Sequence, residues 1–153
     1  INEMIRNTAS SFEMQCNSKN ITIELIFLNV SQYVFADFSK IQQVLYNLID
    51  NAIKFSSQNS SITIQTSIRK EKIFVSVKDT GIGISKNEQN KIFDRFYKSD
   101  LSRGKDKKGT GLGLWIVQSI MKLHYGYVEV ESQVGEGSTF YLYFPKDVCE
   151  DDG

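Results

Sequence analysis

Residues 108–124 read KGTGLGLWIVQSIMKLH. Glycines at 109, 111 and 113 alternate and then run into an apolar spacing that predicts a helix from about Gly111 to His124. Bare backbone at the start of a helix suits an anion: the free N–H groups and the positive end of the dipole attract it, and no Cβ blocks its approach. The preceding polar stretch, YKSDLSRGKDKK, has almost nothing to bury and predicts a loop. Its Lys98, Arg103, Lys105, Lys107 and Lys108 outnumber Asp100 and Asp106, which complements a polyphosphate as well as it suits a solvated loop. Two phosphate-binding motifs are excluded. GTGLGL does not follow a predicted strand within a βαβ unit and lacks dinucleotide-fold spacing, and no Gly-Lys-Ser/Thr ending makes it a P-loop.

A second glycine cluster lies upstream in VKDTGIGIS, residues 77–85. The alternating segments SITIQTSI and IFVSVKD flank the charged Arg69-Lys70-Glu71-Lys72, which predicts a β-hairpin that delivers Asp79 to a strand end. A carboxylate fixed there can accept from an exocyclic amino group, and Gly81 and Gly83 let the backbone come close to a ring; taken alone, DTGIG is equally a tight turn. Further upstream, Ile41, Val44, Leu45, Leu48, Ile49, Ala52 and Ile53 form the apolar stripe of a helix ending near Phe55, with Asp37 or Ser39 as its cap. Beside that stripe, Asn47, Asn51 and Lys54 share one face. Amides and an ammonium there face either solvent or a cleft, where Asn can ligate a hard cation and Lys a phosphate.

The remaining pattern completes a coarse order. Ile1 to about Cys16 has helical spacing, NITIELIFL and QYVFAD read as strands, and a short helix spans about Asn87 to Arg95. YVEVES and STFYLYF close the chain as an alternating pair ended by Pro145. The order α, β, β, α, β, β, short α, loop, α, β, β predicts an α+β fold: a two-layer α/β sandwich with helices on one face of a mixed sheet. At 153 residues, 41% of them apolar, one domain is expected. Eighteen basic residues balance eighteen acidic ones, so net charge argues for neither nucleic acid nor an anionic membrane. Cys16 and Cys149 lack metal-type spacing and suit a reducing compartment. No apolar run approaches a membrane span, and the start in mid-pattern and the EDDG end are expected of a piece of something longer.

Four blocks, in order, resemble the ATP-binding catalytic domain of bacterial sensor histidine kinases, within the superfamily that also holds gyrase-type ATPases. QVLYNLIDNAIKFS is similar to that family's asparagine box, DTGIGIS to its first glycine box, KIFDRFYKSD to its phenylalanine box and GTGLGLWIV to its second glycine box. GEGSTFYLYFP is similar to its final strand, so the resemblance runs over nearly the whole chain.

The resemblance implies a Bergerat fold with a mixed, mostly antiparallel sheet of about five strands. It implies ATP and Mg²⁺ as ligands, with Asn51 on the metal, Asn47 and Lys54 near the phosphates and Phe55 against the nucleotide. Asp79 is expected on the adenine amino group, with Gly81, Gly83 and Thr139 completing that pocket. Lys98 is expected at the terminal phosphate and Gly109, Thr110, Gly111, Leu112 and Gly113 as backbone contacts, with a lid over about 97–110 anchored by Phe93 and Phe96. Trp115 and Tyr125 depart from the family, which has a small residue and a glycine at those positions.

The acceptor histidine is expected on a separate dimerisation domain of the same parent, with a response regulator as the indirect partner and a cytoplasmic location set by the need for ATP, as part of a membrane-bound sensor. The lone histidine, His124, reads as structural or exposed. Rival readings are a hydrolysing clamp, a serine kinase of the anti-sigma-factor type and a non-enzymatic nucleotide-binding module. The clamp needs a Glu where this chain has Asn47, a poor base, and the full phenylalanine box and long loop argue against the serine kinase.

Overall fold

The computed structural model describes residues 1–28, 36–70, 72–97 and 112–145. Among these residues five helices, α1 (Asn2–Ser10), α2 (Glu13–Lys19), α3 (Phe38–Phe55), α4 (Lys86–Gln89) and α5 (Gly113–Leu123), accompany five strands. These are β1 (Thr22–Ile26), β2 (Ser61–Arg69), β3 (Lys72–Asp79), β4 (Tyr127–Gln133) and β5 (Gly137–Pro145). They form one sheet in the order β1-β2-β3-β5-β4; β1 runs parallel to β2 across the α3 crossover and the other pairs are antiparallel. This is the expected α+β arrangement.

Side-chain alternation builds the core. Ile62 and Ile64 on β2, Ile73, Val75 and Val77 on β3, and Phe140, Leu142 and Phe144 on β5 all turn to one face. There they meet Val44, Leu45, Leu48 and Ile49 of α3, Val117 and Met121 of α5, and Ile5 and Phe12 from the N-terminal helices, in one buried cluster. The opposite face carries a ladder of rings, with Tyr127 stacked on Tyr143 at 4.5 Å and Phe74 beside Tyr141 and Tyr143 at 6.0 Å each. Among the described residues no helix is long and apolar enough to cross a membrane.

Three expectations change. The first helix is two, split at Ser11 and Phe12. Three hydroxyls bond back to carbonyls one turn earlier (Thr8 to Met4, Ser10 to Arg6, Ser11 to Thr8), the competition that ends helices. Of the expected strand QYVFAD, the described residues Ala36 and Asp37 are not in a strand; Asp37 caps α3, its carboxylate accepting from Lys40 N at 3.1 Å, and the rest lies outside the described residues. The short helix is a single turn, α4, and the chain continues from Asn90 to Phe96 as turns.

His124 links two helices. Its Nδ1 lies 2.8 Å from the Ile120 carbonyl and its Nε2 accepts from Asp37 N–H at 3.1 Å, so Nδ1 carries the proton and the ring joins the end of α5 to the start of α3. That is a structural histidine. Tyr125 follows in the left-handed region, φ +60°, where glycine is usual. Its N–H donates to Lys122 O and that of Gly126 to Met121 O, the paired bonds of a Schellman helix end.

Candidate functional site

Helix α3 presents the asparagine face. Apolar residues at offsets of three and four pull it onto the sheet, which leaves Asn47, Asn51 and Lys54 along one edge. Asn47 is half-buried and its Nδ2 donates to the Gly113 carbonyl at 3.4 Å, so α3 and the first residue of α5 are brought together. Asn51 is half-buried, and its side chain makes no hydrogen bond to a described residue. The Lys54 ammonium sits 3.1 Å from the Asp50 carboxylate one turn back.

The floor of the site is the turn after β3. Asp79 is 5% exposed, and a buried carboxylate is costly without partners. Its Oδ1 accepts from Gly81 N at 2.9 Å and Ser138 N at 3.3 Å, while Oδ2 makes no hydrogen bond to a described residue. Burial pushes its pKa above the usual carboxylate value, and the two backbone N–H groups oppose that rise without cancelling it. The acid is therefore held in place through one oxygen, Oδ1.

The glycines around it have specific reasons. A Cβ on Gly81 would lie 2.2 Å from the Phe55 carbonyl, because the last turn of α3 packs directly on this loop. Gly83 combines φ +75° with a Cβ position 2.0 Å from the Gln133 carbonyl. At Gly113 a Cβ would meet nothing within 4 Å. No contact within the described protein requires glycine there.

Site residues distribute unevenly. Asp79, Gly81 and Phe55 meet, as do Asn47 and Gly113; Leu112 precedes α5 as its half-buried cap residue. Lys98, Gly109, Thr110 and Gly111 lie outside the described residues, and so does the expected lid over about 97–110 apart from Tyr97. Thr139 is not brought to Asp79. Strand alternation places it on the ring-bearing face, opposite Lys78 on one side and Glu131 on the other.

The hydroxyl on Asp79's face is Ser138, 7% exposed, with its Oγ 2.7 Å from Ser132 Oγ. Ser132 also accepts from Ile84 N at 2.7 Å, tying the glycine turn to β4. Sequence reading missed both. The signal was present, since Ser138 has the same parity as Phe140, Leu142 and Phe144. Phe93 packs edge-on against Phe140 at 6.4 Å, whereas Phe96 is 62% exposed with φ +64°. The Arg95 guanidinium lies over both Phe96, at 5.2 Å, and Trp115, at 5.0 Å.

A two-layer sandwich whose helix edge carries amides and whose floor is a buried acid on a glycine turn defines a class, the Bergerat-type ATPase fold. The profile of the family described as histidine kinase-, DNA gyrase B- and HSP90-like ATPases matches residues 36–148. The sensor protein SrrB of Staphylococcus aureus is 41% identical over 110 residues, 72% of this chain and 19% of SrrB.

Among solved structures, the catalytic domain of histidine kinase ThkA superposes with a TM-score of 0.83 at 33% identity, over 95% of this chain and 92% of that one. Full-length ShkA in complex with AMPPNP gives 0.82 at 27% identity, over 95% and 30%. ThkA in complex with the response regulator protein TrrA gives 0.79 at 30% identity, over 96% and 40%. The chain belongs to the family of histidine kinase-, DNA gyrase B- and HSP90-like ATPases. It spans about a fifth of the length of the curated relatives it matches, 19% in SrrB.

Proposed function

We propose that this chain binds Mg-ATP and donates the γ-phosphoryl group to a histidine on a separate dimerisation domain, as the catalytic domain of a sensor histidine kinase. The observation that carries the reading is Asp79: a buried carboxylate with one oxygen fixed by two backbone N–H groups and the other open to the adenine amino group. Relatives named as sensor kinases, and a similar chain bound to AMPPNP, support it.

The phosphate end is built from α3 and the start of α5. Asn51 fits a divalent cation, because it offers a neutral oxygen that no described residue uses. Among the described residues no cluster of three His, Cys, Asp or Glu could hold a metal alone, which suits Mg²⁺, whose shell is completed by phosphates and water. Bound there, Mg²⁺ would offset charge on the phosphates. Lys54 adds a cation near them, Lys98 a second, and Gly113 leaves space for a phosphate at the head of α5.

Transfer then depends on positioning and electrostatics, with no general base in this chain. Asn47 stands where a water-activating Glu would be needed, and an amide cannot take a proton, so transfer to a positioned acceptor is favoured over hydrolysis. The acceptor and its helper carboxylate belong to the dimerisation domain of the parent. A response regulator follows as the next partner, as ThkA's complex with TrrA suggests. The need for ATP puts the domain in the cytoplasm.

Calorimetric titration with ATP, with and without Mg²⁺, followed by an assay for released ADP, tests the reading. Mg²⁺-dependent binding without steady release is expected, and Asn51→Ala is expected to remove the Mg²⁺ dependence while leaving thermal stability within about 0.5 kcal/mol. Steady ADP release would favour the hydrolysing clamp, and absence of binding would return the glycines to a purely structural role.

A further inference from the structure

A helix ends with carbonyls that have no partner within it, and each needs one. At the end of α3, the Ala52 carbonyl takes Ser56 N–H at 3.1 Å and Ser56 Oγ at 2.7 Å. The carbonyls of Ile53, Lys54 and Ser56 all accept from one group, the Lys19 ammonium, at 2.9, 3.3 and 3.4 Å. Phe55's carbonyl, in their midst, faces Gly81, where an added Cβ would stand 2.2 Å away. Gly81 in turn donates its N–H to Asp79 Oδ1.

Lys19 is itself held at this spot. It is the last residue of α2, and Asn20 after it turns the chain with φ +52°. Asn20 Nδ2 donates to Asn59 Oδ1 at 2.7 Å, and Asn59 N–H donates to the Lys19 carbonyl at 3.0 Å, so the end of α2 is latched to the turn that follows α3. An ammonium has three N–H donors and is favoured at a helix C-terminus, which matches the three carbonyls gathered here.

We propose that Lys19 is a positioning residue of the nucleotide site. By gathering the carbonyls on either side of Phe55 it fixes the Phe55 peptide, whose carbonyl packs on Gly81 and sets the turn that holds Asp79. Lys19 lies before residue 36, where the family match begins. The inference rests on the reading of Asp79 as the adenine contact, so its effect falls on base selectivity more than on phosphate binding.

Affinities for Mg-ATP and Mg-GTP, measured on the wild-type chain and on Lys19→Met well below the unfolding temperature, test it. The wild type is expected to prefer ATP, Lys19→Met to reduce that preference about tenfold, and Lys19→Arg, which keeps the charge and the donors, to restore most of it. A cap that served stability alone would lower the melting temperature and leave the ATP/GTP ratio unchanged, and that result overturns the inference by itself. Lys19→Gln serves the same comparison if Lys19→Met does not fold. A wild type without preference for ATP would remove the Asp79 reading, and this inference with it.

Discussion

The turn after β3 and the head of α5 both carry glycine, for opposite reasons. At Gly81 and Gly83 the protein itself fills the space a side chain would need, with the Phe55 and Gln133 carbonyls standing 2.2 and 2.0 Å from where a Cβ would sit. Where a Cβ on Gly113 would sit, no described residue beyond its own helix and chain neighbours stands within 4 Å. The first glycines are explained by packing inside the molecule. The last has no such explanation among the described residues, and in the reading proposed here it leaves room for a phosphate. Tyr125 supplies a third case, a backbone in the glycine region without the glycine.

The largest expected effect is at Gly81. Gly81→Ala forces a carbon into the end of α3 and should cost about 2–4 kcal/mol of stability as well as ATP affinity, read by denaturant unfolding and titration. Gly113→Ala should separate those two readouts, with stability within about 0.5 kcal/mol of wild type and ATP binding weakened about tenfold. Equal ATP affinity in Gly113→Ala would break the comparison.

Asp79 gives a pH signature for the packed turn. Its folded-state pKa is raised by burial, so the folded chain holds this proton more tightly than the unfolded chain does. The group's contribution to stability is then greatest below its unfolded pKa and is lost as pH rises through the folded one. Relative to Asp79→Asn, the wild type should therefore gain stability as pH falls through the raised folded-state pKa, and Asp79→Asn should weaken adenine recognition at neutral pH. A parallel pH dependence in the two proteins would show that the carboxyl is better solvated than its burial indicates. The smallest effect belongs to Tyr125→Gly, which should raise stability by about 0.5–1 kcal/mol through relief at φ +60°, with nucleotide binding unchanged.

Much of this arrangement could be read from residue spacing. The stripe from Ile41 to Ile53 and the Asp37 cap announce α3, and alternation announces β2 and β5, because each of these elements buries one face and the period shows which, whereas central β3 is buried on both faces from Ile73 to Val77. The break between α1 and α2 was hidden, because the apolar spacing continues through Phe12 while the hydroxyls that end the first helix act locally. At the site, Asp79, Gly81 and Asn47 stood out by motif. Thr139 was misplaced by one strand position, and in a strand one position is the difference between two faces. Lys19 could not be found from spacing, since its three carbonyl partners lie more than thirty residues along the chain.

The pairing of β3 with β5 sets how tolerant the intervening chain is to change in length. Asp79 and Ser138 are register partners, so everything between them is a connection closed by the sheet itself. The entropy of closing such a connection grows only with the logarithm of its length, about 0.6 kcal/mol for each doubling. Insertions or deletions of a few residues between Tyr97 and Leu112 would thus cost the sheet little, and the chain there can vary in length while the paired strands keep one register.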